Sequence, residues 1–341
     1  MANGKMKLSL LLSRGMFART FAPDAVEKLY SFANVMNPER LPETVDAGYV
    51  MRNIIGAEAA ITCWGTPKIT GPLLEAGADL KLIAHGAGTP KAIIEGDAWA
   101  RGVRVFTAAP VIAADVAETA LWGIIDLQKH MKEFDAGMRS GGWFENLLDL
   151  KSDMRRLNYR LTAGVVSASR VGRNMIRLLQ VFGVKVLLYD PMVSPGEAAM
   201  MGVTLAGLEE LMASCDVVTV HTPSLPETRG LIGARLLSAL RDGAVFVNTS
   251  RGAVVDEKAL TEELKTGRIS AYLDVFEQEP LPLDSELYKL GNVRLSPHMS
   301  GGHTVNGGYE RGDYLVEQLY SWKTTGALRD EVTPAMMAYI A

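Results

Sequence analysis

Cysteine is scarce in this chain, with two residues, Cys63 and Cys215, among 341. Two cysteines form neither a metal-ligand set nor a disulfide framework. Each lies in or beside an apolar, strand-like run, where a small buried thiol is common, and a reducing cytoplasm is the expected setting. Histidine is nearly as sparse, at five residues, and no His/Cys/Asp group has metal-ligand spacing, so no metal is expected. No apolar run reaches the roughly 18 residues of a membrane helix. Positive charge is not in excess either: the net charge is −4, which argues against the basic patch of a nucleic-acid binder. Lys5 and Lys7 precede an apolar stretch at 8–12, but that stretch is too short for a signal peptide and Arg14 cuts it off soon after. A buried first strand is the expectation. No Gly-x-Ser-x-Gly elbow is present.

What the chain does have is an alternation of short apolar runs with helix-like stretches, the pattern of an α/β protein. Its length exceeds one ordinary core and suits two domains. A first group of strand candidates lies at 8–13, 59–64, 80–85 and 103–107. A second, at 163–169, 184–190, 217–223, 244–250, 269–275 and 293–298, is rich in Val, Ile and Leu without alternation, as strands buried on both faces are. A long helix is predicted over 115–132 and a last helix near 309–323, which should fold back onto the first group. The fold class predicted is two doubly wound parallel-sheet domains, Rossmann-like or flavodoxin-like, with a cleft between them. Residues 1–113 with 304–341 form the substrate-binding domain, and 114–303 the dinucleotide-binding one.

The run Gly164-Val-Val-Ser-Ala-Ser-Arg-Val-Gly172 ends the first strand of the second group and opens a helix. A dinucleotide fingerprint has Gly-x-Gly-x-x-Gly here; this chain has Ser167, Ser169 and Gly172. The helix that starts there turns its free N–H groups toward a pyrophosphate. Asp190, 18 positions after Gly172 and before Pro191, would accept from the adenosine ribose and repel a 2′-phosphate, which favours NAD over NADP. The serines leave two alternatives: a Cβ that narrows the approach of the phosphates, or a hydroxyl that hydrogen-bonds one.

Polar residues gather at the carboxyl ends of the last three strands: Arg251 after Asn248-Thr249-Ser250, then Asp274 and Glu279, then His298 after Ser296-Pro297. In a doubly wound sheet that edge binds ligands. Reduction of a 2-keto acid needs a proton donor that titrates near neutrality, a carboxylate to hold it, and a fork for the substrate carboxylate. His298, Glu279 and Arg251 are those residue types. His221 is expected at the adenine side. His130 is expected to be solvated, and His85 and His303 to line a cleft or shape a turn. Trp64 and Trp143 are expected in packing or at an interface.

These stretches also resemble the signature segments of the D-2-hydroxyacid dehydrogenases. They are Asn248-Thr-Ser-Arg-Gly-Ala-Val-Val-Asp256, Leu273-Asp-Val-Phe-Glu-Gln-Glu-Pro280 and Ser296-Pro-His298. Further matches run through Leu80-Lys-Leu-Ile-Ala-His-Gly-Ala-Gly88, Gly142-Trp143 and Asp216-Val-Val-Thr-Val-His-Thr-Pro223. The resemblance implies NAD-dependent interconversion of a small D-2-hydroxy acid and its 2-keto acid, with Arg251, Glu279 and His298 catalytic. It implies that Ala87 and Gly88 join Arg251 and His298 in binding substrate. Ser169, Arg170, Val171, Gly172, Asp190, Pro191, His221, Pro223, Thr228, Thr249, Ser250, Asp274 and Gly301 would hold NAD(H), with Asp274 on the nicotinamide carboxamide. It further implies a homodimer through the larger domain, with Trp143 in an exchanged arm. The alternative is an NAD(H)-sensing, corepressor-like binding protein without significant turnover. A formate dehydrogenase is disfavoured by the acid at Glu279.

Overall fold

A strand read as continuous Leu, Ile and Val has nowhere to put a polar face, and both sheets of the computed structural model are covered on both sides. The structure describes residues 4–39, 41–143, 154–157 and 159–340. It divides into two units, Met1–Ile112 with Gly302–Ala341, and Ala113–Gly301.

The first unit holds β1 (Met6–Leu11), β2 (Ala33–Val35), β3 (Ala59–Thr62), β4 (Leu82–His85) and β5 (Arg104–Thr107). They are parallel, in the order β2-β1-β3-β4-β5, the flavodoxin-like arrangement. Leu8, Leu10, Ile61 and Phe106 pack into one core, while Leu11, Ala60, Ile83 and Val105 pack into the other. Neighbouring residues therefore serve opposite faces. The last long helix, Val305–Thr325, adds Leu315, Val316 and Leu319 to the first of these cores. At the outer edge, Phe106 bridges antiparallel to Glu331, and Val332 N–H donates to Val105 O at 2.7 Å.

The second unit holds β6 (Thr162–Val166), β7 (Lys185–Tyr189), β8 (Thr204–Leu205), β9 (Val217–Val220), β10 (Val245–Asn248), β11 (Ser270–Leu273) and β12 (Val293–Leu295). Their order is β12-β11-β10-β9-β6-β7-β8, all parallel. The pairs Val165/Val166, Leu187/Leu188 and Tyr272/Leu273 again divide between two cores. Numbered within this unit, the sheet reads 3-2-1-4-5-6-7, a doubly wound dinucleotide-binding order. The third strand, the two-residue β8, is not legible as an apolar run.

The helix expected over 115–132 is two helices. Ala109–Lys129 ends at His130, which takes φ 51°, and Met131–Arg139 continues beyond it. His130 is half-buried, not freely solvated as the sequence suggests. Arg294 on β12 ties both helices to the sheet: its Nε lies 2.6 Å from Asp126 Oδ2 and its second terminal nitrogen 2.6 Å from Glu133 Oε1. No helix among the described residues is long and apolar enough to cross a membrane.

Candidate active site

The turn after β6 is built around Ser167, Ser169 and Gly172. Ser167 sits at φ 80°, a left-handed conformation that costs a side-chain-bearing residue about 1 kcal/mol. Its Oγ lies 3.2 Å from Asp190 Oδ2, and Ala168 N–H donates to the same oxygen at 2.8 Å. Asp190 Oδ1 accepts from Met192 N–H at 2.8 Å. Ser169 caps the helix Arg170–Val181, its Oγ accepting from Gly172 N–H at 3.3 Å. Gly172 has no alternative, because a Cβ there would lie 2.0 Å from Ser167 O. Of the two alternatives left by the sequence, the hydroxyls do make hydrogen bonds, but to the turn and its carboxylate. Val171 is half-buried, and Arg170 and Pro191 are exposed beside this turn.

Beyond the next two strands lie two buried polar atoms without a hydrogen-bond partner, His221 Nδ1 and Thr249 Oγ1. They follow Val220 and Asn248, which face each other in the β9–β10 register. Unpartnered buried polar atoms are rare in a folded protein. Two of them side by side at the carboxyl edge of a doubly wound sheet, with the start of the helix Arg170–Val181 nearby in the order of strands, fit a polar cofactor such as a dinucleotide. Thr228 locks the intervening loop, donating to Pro223 O at 2.6 Å, and Ser250 Oγ donates to Asn248 Oδ1 at 2.9 Å.

Burial, the main cause, lowers the His221 imidazole to about 3 and that of His85, whose Nδ1 meets Thr62 Oγ1 at 3.0 Å, to about 4. Both therefore stay neutral while the unfolded chain takes up protons below its ordinary value of 6.5. The unfolded state then binds more protons, so stability falls as pH drops from 6.5 through the folded values. The expected slope is about 1.4 kcal/mol per histidine per pH unit. Urea unfolding at pH 7 and pH 5 reads the loss, and His85→Gln should flatten it. An unchanged slope in that variant counts against the assignment.

Arg251 leads out of β10 and caps a single 3-10 turn, Gly252–Val254. One terminal nitrogen donates to Ser250 O at 2.6 Å. Burial lowers its pKa and the charge of Glu279 opposes that shift, while a guanidinium stays protonated in either case. The next residue is glycine for a visible reason: a Cβ on Gly252 would lie 1.9 Å from the carbonyl carbon of Phe276. The Arg251 turn thus packs backbone to backbone on the turn that carries Glu279. Glu257, also unassigned by the sequence, steadies the same turn by accepting from Glu277 N–H at 2.8 Å. Glu279 Oε1 accepts from Phe276 N–H at 3.0 Å, and its Oε2 lies 2.6 Å from His298 Nδ1. The two line a cavity of about 640 Å³ with Phe276, Leu281, Tyr288 and Pro297.

His298 stands at φ 51°, a strained position for a non-glycine residue. It is held from the end of β11. His298 N–H donates to Asp274 O at 2.9 Å. The Asp274 carboxylate accepts from Ser296 Oγ at 2.5 Å, Met299 N–H at 2.9 Å and Ser300 N–H at 3.0 Å. Tyr272 OH meets both serine hydroxyls, at 2.8 and 3.2 Å. Sequence reasoning gave Tyr272, Ser296, Met299 and Ser300 no role; the one available signal was Ser296 standing two places before the histidine. Gly301, half-buried, ends this loop.

In the other unit, Ala87 is buried and Gly88 half-buried after β4, and their N–H groups donate to no other described residue. Trp64 stacks on the exposed His303, with ring centroids 6.2 Å apart, and the Arg311 guanidinium lies 4.8 Å from its centroid. Among the described residues no group of three or more His, Cys, Asp or Glu could hold a metal.

A family model described as D-isomer specific 2-hydroxyacid dehydrogenase, NAD binding domain, matches residues 121–300. The chain is 35% identical over 243 residues to a D-3-phosphoglycerate dehydrogenase of Archaeoglobus fulgidus, covering 71% of this chain and 45% of that one. It is 33% identical over 277 residues to a glyoxylate reductase of Korarchaeum cryptofilum, covering 80% of each. It spans about half the length of the curated phosphoglycerate dehydrogenases it matches. The crystal structure of the PH0520 protein from Pyrococcus horikoshii OT3 superposes with a TM-score of 0.76 at 26% identity, over 98% of this chain and 96% of that one. A D-2-hydroxyisocaproate dehydrogenase superposes at 0.79 with 21% identity, over 96% of this chain and 99% of that one, and so shares the fold.

Proposed function

The chain belongs to the D-isomer specific 2-hydroxyacid dehydrogenase family and carries its NAD-binding domain, and from that premise we propose that it interconverts a small D-2-hydroxy acid and its 2-keto acid. The observation that carries this reading is the 2.6 Å contact between His298 Nδ1 and Glu279 Oε2, with the Arg251 turn packed on the turn that bears the glutamate.

NAD(H), when bound, supplies or accepts the hydride. Gly172, Ser169, Arg170, Val171, Asp190 and Pro191 would hold its adenosine and pyrophosphate, and His221, Pro223, Thr228, Thr249, Ser250, Asp274 and Gly301 the remainder. His298 gives a proton to the substrate carbonyl oxygen in reduction and takes it back in oxidation. Glu279 holds the Nδ1 side of the ring, which leaves Nε2 for the substrate. The Arg251 fork takes the substrate carboxylate and draws charge toward the carbonyl. Ala87 and Gly88, in the first unit, would offer N–H donors to a substrate.

The free, buried Cys63 and Cys215 suit a reducing cytoplasm. The homodimer that the resemblance implies would draw on the exposed Trp122, Met131, Met138 and Trp143. The rest of the expected arm, 144–153, lies outside the described residues.

Purified protein mixed with NADH and glyoxylate, hydroxypyruvate or pyruvate, followed by nicotinamide absorbance, is expected to turn over at least one of them. Sedimentation of the same preparation reads the dimer. Absence of turnover across a broad keto-acid panel sinks the enzymatic reading, and a monomer sinks the other.

A further inference from the structure

We propose that Asp274 is a positioning residue for His298, acting on the proton donor through the 296–300 loop. This rests on the reading of His298 given above. Asp274 is 1% exposed, and its carboxylate hydrogen bonds run to that loop: Ser296 Oγ and Met299 N–H on Oδ1, Ser300 N–H on Oδ2. Its own backbone carbonyl takes His298 N–H. Three successive N–H groups, from residues 298, 299 and 300, thus converge on one aspartate. Convergence of that kind requires the chain to turn sharply, and His298 at φ 51° makes the turn. A non-glycine residue stays in that region only when its surroundings over-determine it. Asp274 is what determines it here, and the turn delivers the ring to Glu279 at 2.6 Å.

Two substitutions separate this role from service to the nicotinamide. Asp274→Asn keeps the shape but sets an NH₂ group against an N–H or O–H donor. Ser296→Ala removes one donor to the carboxylate and leaves the carboxylate itself in place. If Asp274 positions His298, kcat should fall about 100-fold in Asp274→Asn and about ten-fold in Ser296→Ala. The Kd for NADH, read by fluorescence titration, should stay within about two-fold in Ser296→Ala, which leaves the Asp274 carboxylate in place. An intact kcat in Ser296→Ala would overturn the proposal. Should Asp274→Asn fail to fold, Ser296→Ala decides alone. A readout independent of turnover is the His298–Glu279 separation in crystals of Ser296→Ala, expected to lengthen beyond hydrogen-bond distance in at least part of the molecules. An unaltered protein that turns over no keto acid defeats the proposed function, whereas an unmoved His298 in those crystals defeats this inference.

Discussion

Replacing His298 with glutamine is expected to lower kcat by about 10²- to 10⁴-fold, the range for losing a positioned general acid–base group. Glutamine preserves polarity and rough length but carries no transferable proton. The Kd for NADH should change little, because the ring is assigned to the substrate oxygen. Glu279→Gln should cost less, since the 2.6 Å contact with Nδ1 survives as a neutral hydrogen bond and the ring stays oriented. Steady-state rates for all three proteins on one keto acid test the order. A glutamine variant at position 298 within ten-fold of the parent rate would refute the assignment of the acid.

The largest expected loss of stability is at Arg294 on β12. Its guanidinium is 4% exposed and faces Asp126 at 6% and Glu133 at 28%. Arg294→Met strands Asp126 as a buried carboxylate without its cation. Breaking a buried pair from one side costs about 3–5 kcal/mol. Removing both charges, as in Arg294→Met with Asp126→Leu, should return much of that, since an apolar pair of similar volume is often neutral or better. Urea unfolding of the single and double variants measures both terms. A single variant within about 1 kcal/mol of the parent would show that the network contributes little, as exposed pairs do.

Most of this fold was legible because a strand buried on both faces has a distinctive composition. The six apolar runs of the second group all contain strands of the larger sheet. What escaped were β2, three residues of Ala-Asn-Val, and β8, two residues of Thr-Leu. Edge strands that short carry no period. The break at His130 escaped too, because neither proline nor glycine marks it. At the site, Arg251, Glu279 and His298 were legible as residue types whose chemistry belongs together, and the resemblance of their flanking segments sharpened that. The hydrogen bonds of Asp274 were not legible. They depend on a left-handed histidine, and nothing in Ser296-Pro-His298 announces a positive φ. Ser167 and Ser169 looked like defects against a glycine pattern. In the fold one answers Asp190 and the other caps a helix, which local hydrogen-bonding geometry alone could reveal.

The outermost strands have one more consequence. A row of unmatched N–H and C=O groups invites a neighbouring molecule to add its own strand, and the invitation grows with length. Here β2, β8 and β12 offer three, two and three residues, too few to recruit a stranger, and β5 is screened by Glu331 and Val332. Short or covered edges thus limit strand addition to two sheets dense in Val, Ile and Leu. A shortened version lacking residues 331–340 would lay β5 open and clump where the parent stays clear.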